Sequence, residues 1–230
     1  MRIKVNAVIL LFAIVLMMLL LPSCGDGKKI KPHILLITID TLRRDHVGIY
    51  GYPRHTTPYL DELARGGLRF KHAITPVPLT APSHASILTS LHPITHQLTF
   101  NGAQLSNEVQ TIAEVLKKNG YYTIGATAVK LLSSKYGFSR GFDSFSDEWE
   151  KKKNLDTAYE RTAPSVNASI SLQVEEYLAN PANKNKPLFI WVHYFDPHWP
   201  YHEWEHIHFK NKLPKDENRE PMKRHDKEIY

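Results

Sequence analysis

Ile34-Leu35-Leu36-Ile37-Thr38-Ile39-Asp40 decides the fold. Six residues rich in β-branched and apolar side chains, with no polar alternation, describe a strand buried on both faces, as in a parallel sheet. Asp40 then lies at the strand's carboxyl end. Working outward, Leu188 to Phe195 after Pro187 is a second run of this kind, and Tyr121 to Ala128 is a third. Each is preceded by a helical stripe. Val109, Ile112, Ala113 and Leu116 recur at i, i+3, i+4 and i+7 and are closed by Asn119-Gly120. Val166, Ile170, Val174, Tyr177 and Leu178 form the other stripe. Thr57-Pro58 supplies a cap and a first-turn proline for a helix through Ala64, which Gly66-Gly67 ends. This alternation predicts an α/β fold with a mostly parallel central sheet flanked by helices.

The chain has 230 residues, 42% hydrophobic and 23% charged, an ordinary globular balance that excludes fibrous, collagen-like and wholly disordered classes. A single cysteine, Cys24, excludes an internal disulfide and a cysteine-based zinc site. The formal charge is +6, and setting aside Arg2 and Lys4 leaves +4, too weak and scattered for nucleic acid. Lys151-Lys152-Lys153 reads as a solvated loop.

Those two cations precede an apolar run of 15 residues, Ala7 to Leu21. That length suits an export signal and falls short of the roughly 20 needed to span a bilayer. Leu21-Pro22-Ser23-Cys24-Gly25 resembles the bacterial lipobox, departing from it at Pro22. The resemblance implies acylation of Cys24 and a lipid anchor in the membrane. It divides the chain into a signal peptide over 1–23, a tether over 24–31 and a domain over 32–230, in the cell envelope and facing the periplasm or exterior. An uncleaved membrane anchor and ordinary secretion are the alternatives.

In open α/β sheets ligands gather past the carboxyl ends of strands. Asp40 is a hard oxygen donor suited to a divalent cation, or a loop or cap residue. In Thr80-Ala81-Pro82-Ser83-His84, Pro82 marks a helix start. Hydroxyls there either face an oxyanion at the positive helix end or, as the blander reading, cap the helix. In His193-Tyr194-Phe195-Asp196-Pro197-His198-Trp199-Pro200-Tyr201 a histidine can meet an anion or protonate a leaving group. Beyond Tyr201, His202, His206 and His208 sit in a polar stretch, as solvent-facing side chains or a metal cluster.

In this order and frame the three segments resemble the N-terminal half of the sulfatase family, within the alkaline phosphatase superfamily. Thr57-Pro58-Tyr59-Leu60-Asp61-Glu62-Leu63-Ala64, Leu91-His92-Pro93-Ile94-Thr95-His96 and Gly141-Phe142-Asp143 support it. The resemblance implies Asp40 as a metal ligand, Thr80 as a nucleophile that also touches the metal, and His198 as a contact to the substrate anion. It puts His84 where the family carries an arginine and makes Asn101 and Lys130 substrate contacts, although Lys130 lacks the tryptophan and histidine that usually follow it.

Three departures matter. No cysteine or serine stands at the nucleophile position, so formylglycine is not expected. Thr41 replaces a second carboxylate, which implies one divalent metal, calcium, magnesium, manganese or zinc. The family's later metal pair has no counterpart, so the domain is expected to be truncated at its C-terminus, and Lys227-Glu228-Ile229-Tyr230 resembles the start of the helix leading to that pair. The expected function is metal-dependent hydrolysis of an anionic sulfate or phosphate ester, including phosphodiesters and phosphonates. The alternatives are an inactive sulfatase-like surface lipoprotein and a phosphoryl-group transferase.

Overall fold

A computed structural model describes residues 31–148 and 160–198. The lipobox with Cys24, the lysine run, His202, His206, His208 and the terminal Lys227–Tyr230 segment lie outside the described residues. Among the described residues four strands, β1 (Ile34–Ile39), β2 (Tyr122–Ala126), β3 (Ser144–Ser146) and β4 (Leu188–Tyr194), form one sheet in the order β1-β4-β2-β3. These strands pair in parallel, with Thr38 opposite His193 and Ala126 opposite Val192. The α/β expectation holds.

Two strands are shorter than their apolar runs. The Tyr121 N–H still closes the preceding helix on the Leu116 carbonyl. At the other end of β2, Thr127 N–H turns to Ser146 and Ala128 N–H turns to the His193 ring, so the chain leaves the β4 ladder after Ala126. β4 stops at Tyr194, and Phe195 is buried beyond it.

Around the sheet run α1 (Pro58–Arg65), α2 (Thr80–Thr89), α3 (Pro93–His96), α4 (Ile112–Lys118) and α5 (Ala163–Ala179). Val109 lies outside α4, because Thr111 and Glu114 close a reciprocal capping box that fixes the start at Ile112. Gly141, at φ 85°, abuts that start, where an added β-carbon would stand 2.3 Å from the Glu114 nitrogen. On α5, Val166 and Tyr177 are buried, whereas Leu178, about 100° round the helix from Tyr177, faces solvent. Thr57 precedes α1 but does not cap it. Its hydroxyl bridges Gly48 N–H and the Asp61 carboxylate, which also accepts from Ile49 N–H at 2.7 Å. The motif around Asp61 therefore braces the loop that follows Asp40.

Strand alternation sorts the core. Phe189 and Trp191 point to the face covered by α2 and α4, with Phe142 stacked on both. Ile124 and Leu188 meet Tyr177 and Val174 of α5 on the other face. α2 thereby reaches the carboxyl ends of β1 and β4.

Candidate active site

Asp40 extends the β1 ladder by one bond, its N–H donating to the Tyr194 carbonyl at 2.9 Å, so its carboxylate sits at the sheet's carboxyl edge and is largely buried. Thr80 is the first residue of α2, and Leu79 occupies the capping position. The Thr80 hydroxyl donates to Asp40 Oδ2 at 3.1 Å, and the Ser83 hydroxyl turns back to the Thr80 carbonyl at 3.0 Å. Neither hydroxyl caps the helix. Asn101 satisfies the end instead, accepting the Ala81 N–H at 2.9 Å, so this expected substrate contact positions the residue next to Thr80.

His84 lies one turn along α2 and is buried. Its Nδ1 donates to the Thr80 carbonyl at 2.8 Å, and its Nε2 has no hydrogen bond among the described residues. Burial, reinforced by His193, pushes its pKa down to about 4 against the opposing effects of the Thr80 carbonyl and Asp40, so the ring is neutral at pH 7. A neutral His84 does not supply the fixed positive charge of an arginine. Burial alone would raise the Asp40 carboxyl, but the His193 imidazole and the Thr80 hydroxyl outweigh it and hold the group below its ordinary value.

His193 is the site residue that the sequence did not single out. It is fully buried, edge-on to His84 with ring centres 4.9 Å apart, and its Nε2 is 3.7 Å from Asp40 Oδ2. Its only signal was phase: it follows Trp191 by two and so shares the α2 face. His198 stacks on Phe195 at 4.1 Å, beyond β4. Lys130 opens a short turn, Lys130–Leu132, packed against α2. A cleft of about 340 Å³ is lined by Ile39, Leu42 and Pro197, sequence neighbours of Asp40 and His198, with Tyr52, Leu60 and Thr57.

Asp40 and Thr80 present two hard oxygens side by side, which suits one face of a divalent cation's shell. Next to them Thr41 holds a left-handed φ of 53°, unusual for a β-branched residue, and its buried hydroxyl is unpaired among the described residues. No group of three or more His, Cys, Asp or Glu among the described residues is spaced to hold a metal. The fit is to part of a shell.

The family model described as Sulfatase matches residues 32–228. The chain belongs to the sulfatase family. Among relatives of this sulfatase-family chain, arylsulfatase A of Bos taurus is 44% identical over 108 residues, 44% of this chain and 21% of that protein. N-acetylglucosamine-6-O-sulfatase of Bacteroides thetaiotaomicron is 27% identical over 191 residues, 77% of this chain and 33% of that protein. The phosphonate monoester hydrolase of Agrobacterium radiobacter shares the fold, with a TM-score of 0.54 at 19% identity over 73% of this chain and 41% of its own. The chain thus spans about a fifth to a third of these curated sulfatases.

Proposed function

We propose that the chain carries the nucleophile-bearing part of a sulfatase-type ester hydrolase, with Thr80 as nucleophile. The observation that carries this reading is the 3.1 Å hydrogen bond from Thr80 Oγ1 to Asp40 Oδ2. It leaves the threonine lone pairs available for attack and gives the hydroxyl proton a carboxylate to move to. The Thr80 oxygen forms a bond to the sulfur or phosphorus of an anionic ester, and the bond to the organic oxygen breaks. That oxygen leaves as an alcohol after taking a proton, and water then hydrolyses the enzyme ester. A divalent cation held by Asp40 and Thr80 would lower the hydroxyl's pKa and offset the anion's charge. His198 meets the anion, and the apolar wall of the cleft receives the organic part.

The two curated sequence relatives are sulfatases, which supports a sulfate ester. An unmodified threonine, however, has no second hydroxyl with which to expel sulfate, and phosphoryl esters hydrolyse more readily, so the nucleophile supports phosphate diesters and phosphonates. A panel of aryl sulfate, phosphate diester and phosphonate substrates separates the two. Thr80→Ala is expected to abolish turnover while lowering stability by about 1 kcal/mol, the worth of one hydrogen bond, as read by urea unfolding. An unchanged rate would contradict the assignment. At the N-terminus, acylation of Cys24 would hold the domain on the envelope membrane. Mass spectrometry of the N-terminal peptide tests that anchor.

A further inference from the structure

We propose that His193 is the positioning residue for Asp40. This inference rests on the reading of Asp40 as the carboxylate that holds the divalent cation. The alternation of β4 sends His193 to the Trp191 face, and the parallel register sets it opposite Thr38, two residues before Asp40. There the ring is fully buried, and His193 Nδ1 accepts the Ala128 N–H at 3.3 Å. A backbone N–H can only donate, so Nδ1 carries the lone pair and the proton of the neutral ring is on Nε2. Nε2 has no hydrogen bond among the described residues, and the carboxylate oxygen at 3.7 Å is the group it faces. That separation exceeds a formed hydrogen bond, so in this geometry the N–H acts as an oriented dipole on the anion.

The oxygen involved is Oδ2, which also receives the Thr80 hydroxyl. The Thr80 hydrogen bond and the His193 dipole act on the same carboxylate oxygen, bias the carboxylate's rotation and leave Oδ1 to meet a cation. His84 cannot take over this task, because its own proton is committed at Nδ1 to the Thr80 carbonyl and its Nε2 offers a lone pair. His84 and His193 are thus set in opposite tautomers by their backbone partners, and of the two only His193 presents a donor. Partners of this kind, bound to a ligand rather than to the metal, commonly change metal affinity 10- to 100-fold when removed.

The test uses the full chain and Mn²⁺ as the probe. Nitrogen NMR of the histidine-labelled protein should find His193 protonated at Nε2; protonation at Nδ1 would overturn the proposal without recourse to any variant. Calorimetric titration with Mn²⁺ then compares the unaltered chain with Asp40→Asn, His193→Gln and His193→Asn. Glutamine keeps an N–H near the Nε2 position, whereas asparagine keeps an acceptor for Ala128 and falls short of Asp40. The expected result is roughly 10- to 100-fold weaker binding for His193→Asn and near-complete rescue by His193→Gln. Equal affinity of the asparagine variant and the unaltered chain would overturn the proposal while the Asp40 reading stands. If the unaltered chain takes up no Mn²⁺, or Asp40→Asn binds it equally well, the Asp40 reading fails. The proposal that rests on it then falls as well, whatever the tautomer.

Discussion

A β-carbon added at Gly48 would stand 2.1 Å from Asp61 Oδ2, the carboxylate that braces the loop after Asp40 through Ile49 and Thr57. Asp61 is held by the Ile49 N–H and the Thr57 hydroxyl and has little room to yield. Gly48→Ala should therefore cost about 1–3 kcal/mol in urea unfolding, an overpacking penalty, and a variant as stable as the parent would show that the brace yields. At this scale the sequence was informative wherever a residue's meaning is local. Asp40 after an apolar strand and Thr80 ahead of Pro82 could be placed from their neighbours alone. Asn101 and His193 could not, since their roles depend on where α2 docks and on the phase of β4. The capping reading of Thr80 failed for a related reason, because the partner of its hydroxyl lies 40 residues away in sequence.

At the scale of elements, Arg161 ties three of them together. Its guanidinium donates to the Thr127 carbonyl past β2, to the Ser146 carbonyl and hydroxyl on β3, and to the Ser169 hydroxyl on α5. A lysine cannot reproduce this planar fork. Arg161→Lys is expected to lose about 2–4 kcal/mol, as several charge-assisted bonds go unmade in a buried place. A loss below about 1 kcal/mol would argue against that role. Asp143 makes a second tie, from Lys117 of α4 at 2.7 Å to the Thr123 N–H and hydroxyl on β2. Burial raises its carboxyl, but Lys117 and Thr123 outweigh burial and hold it below 3.8. The sign follows: its stabilisation is full well above 3.8 and is lost as the pH falls through the lowered folded value. The stability gap between the parent and Asp143→Asn should be widest near neutrality and close on acidification. A gap constant with pH would contradict the tie. Strand and helix identities were legible because their periods differ, whereas the boundaries were set by hydrogen bonds that period does not encode, such as the Thr111 capping box and the turn of Ala128 toward His193.

At the largest scale, β1 ends the sheet order among the described residues, and α5 leaves its outward side uncovered there: Leu35 is 58% exposed and Ile37 38%. The run that reads as buried on both faces is thus only half-covered among the described residues. An apolar edge strand of this kind invites pairing with another chain. Sedimentation should find concentration-dependent association that Leu35→Lys with Ile37→Lys suppresses; equal association of parent and variant would locate the contact elsewhere. The parallel α/β architecture was legible from three apolar runs and their stripes, while the sheet order was not, because β4, last in the described chain, inserts between β1 and β2. Whether Thr80 attacks the ester can be read by rapid acid quench and peptide mass spectrometry with the aryl sulfate, phosphate diester and phosphonate panel. A sulfuryl or phosphoryl adduct is expected on Thr80 and should disappear in Thr80→Ala. An adduct on another residue, or substrate turnover that persists in Thr80→Ala, would contradict it.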